Sequence, residues 1–94
     1  MPRRSAARRV VVTHPPGLHA RPSLAIVKTV RQFRSKVRIR SGDQEADAGK
    51  ILEVMSLGAP YGAELTLSAE GPDAESVLDA LAQLFADNFG LSSL

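Results

Sequence analysis

The chain has 94 residues, 44% of them hydrophobic, no cysteine and a formal net charge of +2. This is the composition of one small globular domain, and it excludes a disulfide framework, thiolate chemistry and cysteine-bound metal. No apolar run approaches the roughly 20 residues of a membrane helix, and the start Met1-Pro2-Arg3-Arg4 lacks a signal-peptide core, so a cytoplasmic protein without membrane insertion is expected.

Charge is unevenly distributed. All ten acids lie after residue 42, and Lys50 is the only base among them. Such a dipole can steer an acidic partner toward the first half, or the halves can neutralise each other across the fold. Residues 1–8 read as a disordered basic arm, 9–90 as the domain and 91–94 as a short tail.

In chain order, Val10, Val11 and Val12 predict a β-branched strand. Thr13-His14-Pro15-Pro16-Gly17 stops it, because two prolines remove donors and Gly permits a turn. Pro22 fits the first turn of a helix running to about Phe33, with Ser23, Ile26, Val27, Val30 and Phe33 on one stripe. Lys36-Val37-Arg38-Ile39-Arg40 alternates as a strand, Ser41-Gly42-Asp43 turns, and Gln44 to Ala48 returns. Arg38 and Arg40 are expected to face Glu45 and Asp47 across that hairpin, each pair contributing ~0.2–1 kcal/mol.

Gly49-Lys50 opens a short helix, Ile51 to Leu57, ended by Gly58. Glu64 to Ala69 alternates, with Leu65, Leu67 and Ala69 inward. Asp73 is the expected N-cap of a long helix burying Val77, Leu78, Leu81, Leu84 and Phe85, with Phe89 near its end and Gly90 terminating it. The order β-α-β-β-α-β-α with short links predicts an α+β fold: a four-stranded antiparallel sheet with three helices on one face.

One constellation carries chemistry: Gly17-Leu18-His19-Ala20-Arg21-Pro22, a glycine turn feeding a helix start. The first N–H groups of a helix lack intrahelical acceptors and carry partial positive charge, which suits phosphate. Arg21 adds a planar donor fork, and the main chain at Gly17 and Ala20 is the expected phosphate cradle. The same field favours an uncharged imidazole, whose lone pair can attack phosphorus and form a phosphohistidine. A His beside a turn is by itself more often structural; the Gly, Arg and Pro at these offsets single out His19. There is no P-loop for a nucleotide, no carboxylate pair for a metal, and no cofactor is implied.

The run Pro15-Pro16-Gly17-Leu18-His19-Ala20-Arg21-Pro22 resembles the HPr family, histidine-containing phosphocarriers of the bacterial sugar phosphotransferase system. So do Val54-Met55-Ser56-Leu57-Gly58-Ala59 and Gly62-Ala63-Glu64-Leu65-Thr66-Leu67-Ser68-Ala69-Glu70-Gly71, and the likeness extends over residues 9–89. It implies an open-faced β-sandwich and a monomer. It implies phosphorylation of His19 on Nδ1 by enzyme I, using phosphoenolpyruvate, with onward transfer to an enzyme IIA domain. Arg21 is the implied transfer-assisting residue.

Three departures bear on regulation. The family's regulatory serine at the start of the short helix falls on Lys50, which forms no phosphate ester. Residue 16 is Pro where a polar residue often helps cap the site, and the basic extension is longer than usual. Lys50 and the ending Leu84-Phe85-Ala86-Asp87-Asn88-Phe89 are similar to the nitrogen-related branch, NPr, which acts mainly through regulatory proteins.

The short helix has more apolar residues than one buried stripe needs. Ile51 and Val54 fit the core, which turns Leu52 and Met55 outward as a partner patch, with Arg21, Lys28 and Lys50 as a cationic rim. Covering the sheet edge is the plainer role for the pair. His14 lacks a positioned partner and is not assigned a role. The basic arm has no interleaved aromatics, so no nucleic acid is expected to bind.

Overall fold

The structure, a computed structural model, describes residues 4–13, 15 and 17–90. Its elements are β1 (Ser5–Val11), α1 (Ala20–Val30), β2 (Lys36–Ser41), β3 (Gln44–Asp47), α2 (Ile51–Ser56), β4 (Glu64–Glu70) and α3 (Ala74–Ala86), followed by a 3-10 turn at Asn88–Gly90. The four strands form one antiparallel sheet in the order β1-β4-β2-β3. Register sets Ala6, Ala69 and Val37 in one row and Arg8, Leu67 and Ile39 in the next. Alternation puts Val10, Leu65, Leu67, Val37, Ile39 and Ala46 on the buried face. From the helices, Ile26, Val27, Val54, Val77, Leu78, Leu81 and Phe85 join the same core. This is the predicted α+β architecture, an open-faced sandwich with one sheet face left to solvent.

The first strand begins at Ser5, so the expected disordered arm over residues 1–8 is corrected from Ser5 onward; residues 1–3 lie outside the described residues. From Ser5 onward the chain pairs with β4. Arg8 falls in the inward register between Ala6 and Val10, half-buried, and carries its charge out to α3. Its Nη2 pairs with Asp79 Oδ1 at 2.5 Å, and Nη1 donates to Leu78 O at 3.4 Å. The expected tail at 91–94 also lies outside the described residues.

α1 starts two residues before Pro22 and ends at Val30, three before Phe33. His19 is extended, and its carbonyl accepts the first helical bond, from the Ser23 N–H at 3.1 Å. Ile26, Val27 and Val30 are buried as the stripe requires, and Phe33 is half-buried beyond the helix.

Asp73 occupies the N-cap of α3, but its side chain does not cap the helix. Its carboxylate accepts the Arg34 N–H at 2.9 Å and the Ser35 hydroxyl at 2.5 Å, while Ser35 Oγ accepts the Asp73 N–H. The Ser35 hydroxyl above all, then the Arg34 N–H, holds the Asp73 carboxyl below its usual range. Capping gave way to a latch between the loops preceding β2 and α3. α3 itself stops at Ala86, short of the expected Gly90. Asn88 and Phe89 turn to positive φ, which folds Phe89 back edge-on to Phe85 with ring centroids 4.7 Å apart.

The β2–β3 hairpin also differs in detail. Arg38 faces Asp47 and Arg40 faces Glu45 in the register, yet both guanidinium groups converge on Glu45, at 2.8 and 2.6 Å. Asp47 instead accepts the Gly49 N–H at 2.8 Å, shaping the turn into α2.

Candidate functional site

His19 stands at the N-cap of α1, half-buried, with φ −96° and ψ −164°. Its N–H donates to Gly17 O at 2.9 Å, and its side chain makes no capping bond to the helix. Ser23 N–H is taken by His19 O, and Pro22 has no N–H. Ala20 and Arg21 therefore supply the two amides of the first turn that lack an intrahelical acceptor. No acid lies in that turn. Arg21 is exposed and forms no ion pair among the described residues. Imidazole, two amides without an intrahelical acceptor and a guanidinium with no ion pair among the described residues thus lie at one helix entrance.

Gly17 fixes how the chain reaches that entrance. It has φ +142°, and a Cβ there would lie 2.8 Å from Pro60 Cα. Leu18 N–H donates to Ala59 O at 2.9 Å, and Gly17 bridges Pro60 antiparallel. Glycine is required both for its φ and for the close main-chain approach. His14 and Pro16 lie outside the described residues.

α2 presents Leu52 76% exposed and Met55 38% exposed, while Val54 is buried and Ile51 half-buried. The division expected from the surplus apolar stripe is therefore observed. Lys50 occupies the N-cap of α2, exposed, with Nζ 3.9 Å from Glu53 Oε2. Lys28 is exposed on α1. Sequence reasoning missed Leu24, 47% exposed on the α1 face shared by Arg21 and Lys28. Its signal was its offset: three residues after Arg21, four before Lys28 and off the buried stripe. Arg31 Nη2 reaches Gly49 O at 3.2 Å and ties the end of α1 to the start of α2.

The two halves neutralise each other in part only. Arg8, Arg38 and Arg40 pair with acids of the second half, whereas Arg21 and Lys28 on α1 form no ion pair among the described residues. Among these residues no His, Asp and Glu side chains cluster as metal ligands, and no helix is long and apolar enough to cross a membrane.

The family model described as the PTS HPr component phosphorylation site matches residues 6–87. The chain belongs to the HPr family. Phosphocarrier protein HPr of Cupriavidus necator is 39% identical over 74 residues, covering 79% of this chain and 83% of that protein. A multiphosphoryl transfer protein of Xanthomonas campestris is 40% identical over 70 residues, 74% of this chain; the chain spans only 8% of that larger relative. The crystal structure of HPr-C-His from Thermoanaerobacter tengcongensis superposes with a TM-score of 0.88 at 33% identity, covering 94% of this chain and 99% of that one. Membership in this HPr family supports a phosphocarrier role in the phosphotransferase system.

Proposed function

We propose that His19 is the phosphoryl acceptor of a cytoplasmic, monomeric phosphocarrier of the sugar phosphotransferase system. The donor is enzyme I charged by phosphoenolpyruvate, and the acceptor is an enzyme IIA domain. The His19 Nδ1 lone pair attacks phosphorus. The bond from phosphorus to the donor breaks, and its electron pair returns to the donor. The phosphoryl oxygens are received by Arg21 and by the main-chain N–H groups, with Ala20 and Gly17 as the cradle. Docking is through Leu52 and Met55, with Lys28 and Lys50 speeding encounter with acidic partners. The observation that carries this reading is the imidazole at a helix start whose first amides lack an intrahelical acceptor, beside an arginine with no ion pair among the described residues and with no acid in the first turn.

Incubation with enzyme I and phosphoenolpyruvate is expected to add one acid-labile phosphoryl group, and His19→Ala to abolish it. Persistent labelling of His19→Ala refutes the assignment. A second reading, a regulatory NPr-like module acting on nitrogen or carbon metabolism by docking, is favoured by the exposure of Leu52 and by Lys50 in the serine's place. It predicts partner binding that survives His19→Ala and fails on Leu52→Glu.

A further inference from the structure

The main chain that presents His19 and the main chain that leaves α2 are one short ladder. Leu18 N–H bonds Ala59 O, and Gly17 bridges Pro60. The opposite side of the same loop is held by β1's continuation: Gly62 N–H donates to Val12 O at 2.7 Å, and Val12 N–H to Ala63 O at 2.9 Å. Ala63 N–H closes a turn onto Pro60 O at 3.1 Å. Two glycines at positive φ, Gly58 at 57° and Gly62 at 89°, flank the segment. Glycines alone would leave this loop free to bend. Pro60, between them, has its φ locked by its ring and offers no N–H to compete for acceptors.

We propose that Pro60 is a positioning residue for the phosphoryl transfer assigned to His19, and this inference rests on that assignment. By stiffening the loop between α2 and β4, Pro60 holds the ladder to Gly17 and Leu18, one residue before His19. The imidazole is then carried on the same rigid body as the docking residues Leu52 and Met55. A partner seated on α2 meets His19 at a fixed offset. In-line transfer is sensitive to such placement, since a displacement of about 1 Å can cost ~10²-fold in rate. Pro60 itself is exposed, so replacing it leaves the core packing untouched.

The test compares the wild-type chain with Pro60→Gly and Pro60→Ala in rapid-quench transfer from phosphorylated enzyme I, over a range of enzyme I concentrations. Pro60→Gly is expected to lower the limiting transfer rate about tenfold, with half-saturation changed by less than about twofold. Pro60→Ala, which restores part of the backbone restriction, recovers part of that rate. Hydrogen exchange at the Leu18 amide is expected to quicken in Pro60→Gly, while the amides of α3 keep their protection. An unchanged limiting rate, a loss confined to half-saturation, or an unchanged Leu18 exchange rate overturns the inference. Wild-type chain that accepts no phosphoryl group overturns the assignment of His19 beneath it, an outcome distinguishable because it needs no Pro60 variant.

Discussion

Gly17→Ala probes the architecture of the site most directly, because two costs meet at one residue. At φ +142° an L side chain is strained, at a cost of about 1–3 kcal/mol. The new Cβ would also stand 2.8 Å from Pro60 Cα. The opposing main chain cannot yield easily: Ala59 is 2% exposed, and its carbonyl is bonded to Leu18 N–H. Overpacking of this kind costs a further ~1–3 kcal/mol. A small domain has only about 5–15 kcal/mol of stability, so the loss is a large fraction of the whole. At roughly 4–8 °C per kcal/mol, Tm is expected to fall by at least ~8 °C. Gly58→Ala is the internal control. It shares a positive φ, 57°, but a Cβ there meets nothing within 4 Å, so it carries only the left-handed penalty of about 1–2 kcal/mol. Urea titrations of the three proteins at pH 7 measure the difference. If Gly17→Ala proves no less stable than Gly58→Ala, the close approach of the two loops is not what requires glycine at residue 17.

Arg21→Ala is expected to slow phosphoryl transfer by about 10- to 100-fold, the range for losing a hydrogen bond to a charged group, with Tm almost unchanged because the side chain is exposed and forms no ion pair among the described residues; a wild-type transfer rate refutes its role. Asp73 ties acid stability to the latch with Ser35. Its folded-state pKa is lowered from the ordinary 3.8. Its contribution is therefore present above that value and is lost as pH falls through the lowered one. Asp73→Asn is expected to flatten that part of the stability profile below about pH 4, and an unchanged slope in acid denaturation counts against the latch. Ser23 Oγ is buried with no hydrogen-bond partner among the described residues. Ser23→Ala is thus expected to leave stability unchanged or raise it by up to ~1–2 kcal/mol, with a lowered urea midpoint as the contrary result.

Periodicity made much of this protein legible before any coordinates. Val37 and Ile39, Leu65 and Leu67, and most of the α1 and α3 stripes lie inside as the spacing demands, with Phe33 and Leu84 half-buried, and Leu52 with Met55 lies outside. A helix or strand assigns faces locally, through its own 3.6- or 2-residue repeat, so apolar spacing is enough to read them. The neighbourhood of the candidate site was legible too, because Gly17, His19, Arg21 and Pro22 are close in sequence. That His19 stands extended before the helix rather than in its first turn was decided by the structure.

Tertiary contact decided the rest. Arg8 looked like part of a disordered basic arm because its partner Asp79 lies on a helix distant in sequence. Asp73 looked like a cap because Ser35, which claims its carboxylate, is 38 residues away. Glu45 drew both Arg38 and Arg40 because side-chain reach, not strand register alone, chooses the partner. The abutment of Gly17 on Pro60 arises only when the loop after α2 packs beside the end of β1. Local spacing sets which way a residue points; which remote group it meets depends on how the layers close, and no short-range pattern encodes that.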